Sequence, residues 1–271
     1  MDNWKEYNRM IVHMGEPHEQ ISLKKEDIKR MWKAFPHALL IRYTDNWDKK
    51  DSDGWYYIIR DYDIVLEDLR KSARSQVRKG ERNFEIRKFN FIEKFDEVYE
   101  VYLKACERYE NYEIRSKENY FEFVKNQYHG RVDFWGGFDK ENGCLMGYSI
   151  CTVYDTCVDW NEATFNPDAL KLRISDYMEY YLIRYYINIH GYNYLISGQK
   201  NINHKTNVQE YDIKQFGFRK AYCDLHVIFN PRINIIVSLI RPLKKIILRL
   251  SDKHSFFNKI NSLVLLADYR E

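Results

Sequence analysis

The 271-residue sequence has few of the motifs that would assign a function directly. Its five cysteines are odd in number and form no CxxC pair, which fits reduced thiols better than a disulfide framework. No set of His, Cys and carboxylate residues has zinc-site spacing, and neither GxSxG nor a P-loop occurs, so hydrolase and nucleoside triphosphatase classes find no support. Lys and Arg total 43 against 40 Asp and Glu, a balance that argues against bulk nucleic-acid binding.

Long apolar segments are also missing. The N-terminal sequence has no stretch that resembles a signal peptide. The longest uncharged apolar run, Ile233 to Ile240, is far shorter than the roughly 20 residues that a membrane-spanning helix needs. Aromatic residues, by contrast, are abundant, with 23 Tyr and 15 Phe. The sequence therefore predicts a cytoplasmic globular protein with a sizeable core.

Hydrophobic periodicity predicts a mixed α/β (α+β) protein. Residues 1–66 contain a predicted helix, Lys24–Trp32, and two strands, Ala38–Tyr43 and Trp55–Arg60. A basic helix, Glu67–Lys79, follows, with Gly80 placed to end it. The later predicted elements are strand Phe84–Phe89, helix Phe95–Cys106, a helix capped by Ser116, strands Val132–Phe138, Leu145–Tyr154 and Cys157–Phe165, helix Ile174–Ile189 ended by Gly191, strand Tyr194–Ser197, helix His204–Phe216 ended by Gly217, and strand Ala221–Phe229.

This order predicts a mixed, twisted sheet with helices on both faces. Its three central strands have short connections and should form an antiparallel meander. The pair Gly136-Gly137 indicates a bulge or a close approach of backbone. The tyrosines Tyr177, Tyr181 and Tyr185 recur at helical spacing and are interpreted as core rather than as a substrate platform.

Three stretches of the sequence carry a resemblance to a known family. They are Asp68–Phe89, the helix Ser175–Gly191 with its following strand YNYLISGQ, and His204–Phe229 with its Gly-Phe turn. In sequence and order they resemble the GNAT superfamily of acyl-coenzyme A N-acyltransferases, and within it the Fem-type branch of peptidoglycan-bridge and aminoacyl transferases. The resemblance implies a GNAT-like acyltransferase domain at residues 67–230, an N-terminal region, 1–66, that packs on it or belongs to it, and a basic amphipathic tail at 231–271.

The resemblance also implies where an acyl donor binds. In the family, backbone N–H groups between a strand and a helix hold the pyrophosphate of acetyl-CoA or another acyl-CoA, usually through a glycine-rich loop. The matching segment here, FNPDALKLRIS, contains no glycine. Its implied cofactor-binding residues are Phe165, Lys171, Leu172, Arg173 and Ser175. Either Lys171 and Arg173 hold the phosphates by charge-assisted bonds, or the donor is a different molecule such as aminoacyl-tRNA; no metal is implied.

The implied catalytic residues match the family only in part. The family's tyrosine acid would fall at Ile213, so Tyr211 or Tyr222 are its candidate substitutes. Glu162 or Asp159 fits the general base, and strand alternation places these two on opposite faces. The alternative interpretation of Glu162 is a solvated strand residue.

The loop after Tyr194–Ser197 adds a second set of candidates. His204 is either a group that takes up a proton at neutral pH or an ordinary residue at a helix start. Gln199 and Asn201, with Trp160 on the earlier strand, are candidate ligands of a polar acceptor.

Two charged segments leave alternatives open. Arg70, Arg74 and Arg78 share one helix face, which either contacts phosphate or tRNA or is simply solvated. The segment Arg232–Lys253 is basic and amphipathic, and it either lies on an anionic membrane surface or docks on the domain or a second subunit. Pro242 should kink or break its helix. The apolar stripe comprises Ile235, Ile236, Leu239, Leu243, Ile246, Ile247 and Leu250, and the basic residues around it are Arg241, Lys244, Lys245 and Arg249.

The functional prediction is an N-acyltransferase that uses acyl-CoA to acylate the amine of a small polar acceptor, such as an amino sugar or a cell-envelope or polysaccharide precursor. Two alternatives stay open: a Fem-type transferase that uses aminoacyl-tRNA, and a GNAT-fold binding or scaffold protein without catalysis. The acyltransferase prediction depends on the strands Cys157–Phe165 and Tyr194–Ser197 lying side by side and then diverging, which opens a slot where a thioester can meet an amine.

Overall fold

The computed structural model describes residues 3–51, 54–109, 113–128, 130–201, 207–244, 247 and 255–270, with the backbone alone at 255–259. The strands are β1 (Trp4–Tyr7), β2 (Met10–His13), β3 (Leu40–Asp45), β4 (Trp55–Arg60), β5 (Phe84–Lys88), β6 (Arg131–Asp139), β7 (Leu145–Val153), β8 (Cys157–Phe165), β9 (Tyr194–Gln199) and β10 (Arg219–Phe229). The helices are α1 (Lys25–Ala34), α2 (Lys71–Asn83), α3 (Phe95–Cys106), α4 (Lys117–Gln127), α5 (Pro167–Lys171), α6 (Ile174–Ile183), α7 (Val208–Phe216), α8 (Pro231–Ile240) and α9 (Ser255–Leu266). The chain forms two compact units: unit 1 is Met1–Tyr57, Gln199–Thr206 and Ala221–Glu271, and unit 2 is Ile58–Gly198 and Asn207–Lys220.

Unit 1 is built on a small mixed sheet. The hairpin β1–β2 joins β3, which runs parallel to β2 and antiparallel to β10. One apolar cluster places Met31 of α1 with Ile11 and Ile41, and another places Val237 of α8 with Val227. The strands β1 and β2 are short and escape prediction because their side chains do not alternate between apolar and polar.

Unit 2 carries the predicted meander. Its strands follow the order β9-β8-β7-β6-β5, antiparallel from β5 to β8 and parallel between β8 and β9. Helices cover both faces, as two neighbouring residues of β6 demonstrate. Phe134 stacks on Phe91 at the start of the α3 layer, whereas Trp135 packs against Tyr185 in the π-helical turn that continues α6. Tyr181 also packs against Trp135, as expected of a core residue.

Two bulges interrupt this sheet. The register between β6 and β7 shifts at Gly137, confirming the predicted irregularity at the glycine pair, and a Cβ on Gly137 would lie 2.7 Å from Ile174. The second shift, between β7 and β8, leaves Asn161 as the extra residue. The Asn161 side chain holds it in place by accepting from the Thr152 backbone N–H at 3.0 Å.

The second bulge corrects the predicted alternation along β8. Asp159 pairs with Thr152 and Glu162 pairs with Ile150, two residues apart on β7 and therefore on the same face of the sheet. The prediction that the two carboxylates lie on opposite faces is wrong, because the extra residue of the bulge between them brings both side chains to the same face of the sheet.

Two helix boundaries also differ from prediction. Gly80 lies inside α2 instead of ending it, because α2 packs so tightly on α6 that a Cβ there would lie 2.4 Å from the Arg173 carbonyl oxygen. The presumed loop after β8 contains α5, whose Asn166 cap accepts from the Asp168 N–H at 2.9 Å. The caps at Ser116 and Gly217 and the break at Pro242 are confirmed, while the predicted start of α7 at His204 lies outside the described residues.

Candidate functional site

The strands β8 and β9 pair briefly and then separate. They pair from Cys157↔Tyr194 to Asp159↔Ile196, and beyond Asp159 the strand β8 continues to Phe165 without this partner. A cavity of about 610 Å³ lies at the divergence, inside unit 2. A volume of this size suits a small-molecule substrate. The divergence on which the functional prediction depends is therefore present.

We call this space the acidic cavity because of its lining. It is lined by Trp160, Asn161, Glu162, Ala163, Phe165, Ser175, Glu179, Ser197, Asn207, Val208, Tyr211 and Asp212. Three of these side chains are carboxylic acids, and among the described lining residues there is no Lys, Arg or His. The described wall therefore favours a cation over an anion.

A buried group of three carboxyl side chains, which we call the carboxyl cluster, lies at this wall. Asp176 and Glu179 come from α6 and Asp212 from α7, and each is at most 5% exposed. The Ser197 hydroxyl donates to Asp212 at 2.9 Å, and the Tyr211 hydroxyl bonds to Asp176. Carboxyl groups this deeply buried are held by hydrogen bonds or shared protons.

Burial shifts the protonation of the carboxyl cluster. It raises the pKa of Asp212 to about 6, although the Ser197 hydrogen bond acts in the opposite direction. Burial, reinforced by the charges of Asp212 and Asp176, raises the pKa of Glu179 well above its usual range. Glu179 is therefore a neutral acid that hydrogen-bonds to Asp212, while its Oε1 atom is buried without a hydrogen-bond partner. Burial and the bond to Asp176 likewise raise the pKa of Tyr211.

A second cavity, of about 420 Å³, lies beside the same strand within unit 2. We call it the arginine cavity because Arg108 and Arg115 line it. Arg115 stacks over Phe123, with 4.2 Å between the guanidinium carbon and the ring centroid. The remaining lining residues are Tyr102, Ala105, Cys106, Tyr109, Tyr120, Glu162, Ala163, Thr164 and Phe165. Three residues of β8, Glu162, Ala163 and Phe165, line both cavities.

Glu162 is held by hydroxyl groups at this shared wall. Its Oε2 accepts from Tyr128 at 3.0 Å, and its Oε1 lies 3.2 Å from the Tyr120 hydroxyl and 3.3 Å from that of Tyr148. Thr164 donates to Oε1 at 3.2 Å. Burial raises the pKa values of Tyr120 and Tyr148, so both hydroxyls keep their protons. The carboxylate is therefore fixed in position.

The tyrosines around Glu162 were missed from sequence. Tyr120 lies on α4 and Tyr128 at its end, eight residues later. This helical spacing is the sequence feature that could have predicted that both side chains lie on one face. Asp159, the other candidate base, is partly buried, and burial raises its pKa to about 7 against a lowering hydrogen bond from Asn161.

The structure brings together five of the predicted site residues. Trp160, Glu162, Phe165, Ser175 and Tyr211 all line the acidic cavity. The Trp160 indole donates to the Glu162 carbonyl oxygen at 3.1 Å.

Other predicted cofactor residues do not line the cavity. Lys171 pairs with Asp168 at 2.8 Å, and Leu172 packs beside Ile174 in an apolar cluster. Arg173 has a positive φ of 70° and begins α6. None of these three residues is among those that line the acidic cavity.

Predicted substrate residues outside unit 2 also do not line it. In unit 1, Gln199 accepts from Arg42 at 2.8 Å, Asn201 is exposed, and Tyr222 packs edge-on against Tyr56. His204 lies outside the described residues.

The predicted basic face of α2 makes local contacts. Arg74 donates to the Glu67 carbonyl oxygen at 2.6 Å, and Arg78 lies 3.9 Å from the Glu67 carboxylate. These contacts agree with the interpretation of this basic helix face as simply solvated.

No helix in the described residues is long and apolar enough to cross a membrane. No group of three His, Cys, Asp or Glu side chains within the described ranges is arranged to hold a metal ion.

Comparison with known proteins supports the fold. No protein-family model matches the sequence. No curated protein is significantly similar to it in sequence. The structure of FemX superposes with a TM-score of 0.53 at 12% identity, covering 72% of this chain and 73% of FemX.

Two further solved structures superpose with TM-scores below 0.5. The C-terminal domain (DUF2156) of a putative lysylphosphatidylglycerol synthetase from Agrobacterium fabrum gives a TM-score of 0.48 at 12% identity, covering 87% of this chain and 82% of that one. L-PGS from Bacillus licheniformis gives 0.46 at 15% identity, covering 81% and 78%. The likeness to FemX shows that the chain shares the fold of that protein over 72% of its length.

Proposed function

We propose that unit 2 is an N-acyltransferase in which an acyl donor and an amine acceptor meet at the diverging part of β8. One observation carries the proposal: Glu162, Ala163 and Phe165 line both the acidic cavity and the arginine cavity. Two substrates entering from opposite sides would meet at this wall. Holding two reactants in this way removes much of the entropic cost of a bimolecular step.

The chemistry needs little beyond this placement. The donor carbonyl lies along the part of β8 that has lost its pairing with β9, where backbone N–H groups are available to polarise it. The protonated acceptor amine gives one proton to Glu162, and the neutral amine then attacks the carbonyl carbon. A C–N bond forms, the C–S bond of a thioester or the C–O bond of an ester breaks, and the nitrogen releases a second proton, which the leaving group takes up through solvent.

Two donor classes are proposed in turn. Acyl-CoA is the donor implied by the sequence resemblance, with Phe165 and Ser175 at the cavity wall as its contacts. An aminoacyl ester is the second candidate. It is favoured by the acidic lining, because the phosphates of coenzyme A would face carboxyl groups whereas the ammonium of an aminoacyl group would be attracted.

For the acceptor we propose a small amine that also carries an anionic group, such as a phosphorylated amino sugar or a cell-envelope precursor. Arg108 and Arg115 supply the positive charge in the arginine cavity, and arginine suits phosphate and carboxylate geometry.

We further propose that α8 touches a membrane surface from the cytoplasmic side. Ile235 and Leu239 are 65% and 72% exposed, and Ile236 and Leu243 are exposed beside them. Arg241 and Lys244 flank this face, although both pair with Asp268, at 3.3 and 2.5 Å. Vesicle sedimentation tests the idea: a chain with Ile235→Ser and Leu239→Ser should lose binding to anionic vesicles that the wild type retains, and equal sedimentation would contradict it.

The transfer reaction is tested by incubating the full chain with an amine, glucosamine 6-phosphate, and either acetyl-CoA or an aminoacyl-tRNA, followed by mass spectrometry. An N-acylated product with one donor supports the proposal and names the donor class. No product with either donor would overturn it and favour a binding or scaffold protein.

A further inference from the structure

The carboxyl cluster at the acidic cavity has no role in the transfer step described above. Asp176, Glu179 and Asp212 are at most 5% exposed, yet no described Lys, Arg or His lines the cavity beside them. Buried acids without a cation destabilise a fold, since a desolvated negative charge is costly. Such an arrangement calls for a ligand that supplies the missing charge.

One atom in the cluster lacks a hydrogen-bond partner among the described residues. Glu179 lines the acidic cavity, is 5% exposed, and its Oε1 has no hydrogen-bond partner. An oxygen of this kind accepts hydrogen bonds, so the group that completes it must be a donor. The neighbouring Asp212 and Asp176 favour a donor that is also positively charged.

The other polar atoms nearby are already committed within the protein. Ser197 donates to Asp212, and the Tyr211 hydroxyl bonds to Asp176 and lies 3.1 Å from Gln76. Glu179 is thus distinguished within the cluster as the side chain with an acceptor position left over.

We propose that the carboxyl cluster is a subsite for a protonated primary amine, with Glu179 as its principal hydrogen-bond acceptor and Asp212 and Asp176 as supporting charges. This inference rests on the proposed transfer function, because it identifies a charged group that one of the two substrates carries. The amine belongs either to an aminoacyl group on the donor or to the acceptor.

The test compares each amine with its N-acetylated derivative, called its twin below, which lacks the positive charge. Glycinamide and N-acetylglycinamide stand for an aminoacyl donor; glucosamine and N-acetylglucosamine stand for an acceptor. Binding to the full chain is measured by titration calorimetry and by the rise in melting temperature that linkage requires. We expect one amine to bind and its twin, which lacks the charge, to bind at least about tenfold more weakly. The pair that shows the difference identifies the source of the amine.

Two variants locate the subsite. Glu179→Met and Asp212→Asn should each weaken amine binding by about tenfold or more, because the first removes the unpartnered acceptor oxygen and the second removes a negative charge from the cluster. Glu210→Gln is the matched control, since Glu210 lies on α7 beside these residues but its side chain is exposed and pairs with Lys214. Circular dichroism checks that each variant is folded. If one variant fails to fold, the other still tests the subsite.

The outcomes separate this inference from the proposed function. Equal binding of an amine and its twin, no binding by either amine, or unchanged binding in both variants would overturn the subsite, even if acyl transfer is detected. Amine binding that depends on Glu179, without transfer from any donor, would uphold the subsite and overturn the transferase.

Discussion

The acidic cavity and the arginine cavity lie on either side of one strand and carry opposite charge. Glu179 and Asp212 line the first, whereas Arg108 and Arg115 line the second. They also differ in how polar groups are satisfied. The hydroxyls of Tyr120, which lines the arginine cavity, and of Tyr128 donate to Glu162, whereas in the carboxyl cluster Glu179 Oε1 has no hydrogen-bond partner among the described residues.

The difference teaches how a single strand can serve two substrates. The bulge at Asn161 interrupts the alternation of β8, and the loss of pairing with β9 exposes its edge. The residues Glu162, Ala163 and Phe165 then line both cavities. We expect changes at the shared wall to affect both substrates and changes within one cavity to affect one.

The largest effect should follow from Glu162→Gln, at the wall that both cavities share. Loss of the base should lower kcat/KM by about a hundredfold or more, roughly 3 kcal/mol, with little change in stability. Glu141→Gln, in the exposed turn between β6 and β7, is the matched control and should leave turnover unchanged. Product formation is followed by mass spectrometry; wild-type turnover in Glu162→Gln would remove Glu162 from the mechanism.

The next effect is a pH dependence of stability, which the acidic cavity should show through Asp212. The pKa of Asp212 is raised from 3.8 to about 6, so between these values the folded state binds more protons than the unfolded state and stability falls as pH rises. The fall in the free energy of unfolding across this pH window should be smaller in Asp212→Asn by roughly 3 kcal/mol. Urea unfolding at several pH values measures it, with Glu210→Gln as control; an unchanged slope would contradict the raised pKa.

A tenfold effect should mark the arginine cavity. Arg115→Gln removes a charge-assisted bond and should weaken the preference for glucosamine 6-phosphate over glucosamine by about tenfold, roughly 1.4 kcal/mol, while donor binding stays constant. Arg87→Gln is the control, because Arg87 also stacks on a ring, that of Phe138, at 3.8 Å, but does not line the cavity. If donor and acceptor binding weaken together, the two cavities are not separate sites.

The smallest effect lies inside the carboxyl cluster. Ser197→Ala removes the hydroxyl that donates to Asp212, which should cost about 1 kcal/mol of stability and raise the pKa of Asp212 further. Ser149→Ala is the control, since its buried hydroxyl has no partner and its removal should cost nothing. Equal loss of stability in the two variants, measured in urea, would show that the bond to Asp212 contributes little.

Local rules predicted much of unit 2. Helical spacing placed α3 at its observed bounds, the cap Ser116 fixed the start of α4, and β8 ends at Phe165 as predicted. These features depend on neighbours within a few residues, which a sequence displays directly.

The carboxyl cluster is a different case, because tertiary contacts create it. Charged residues usually face solvent, so nothing local marked Asp176 and Glu179 as buried. Asp212 joins them from α7, more than thirty positions later in the chain. The bulge at Asn161 also escaped prediction, since it depends on the register with β7 and not on the sequence of β8 alone.

The most direct test of the central claim is the product assay performed with wild type and Glu162→Gln under identical donor and amine concentrations. The account predicts an N-acylated amine from the wild type and at least about a hundredfold less from the variant. Equal product from both proteins would contradict the meeting of two substrates at β8, and product from neither would contradict acyl transfer itself.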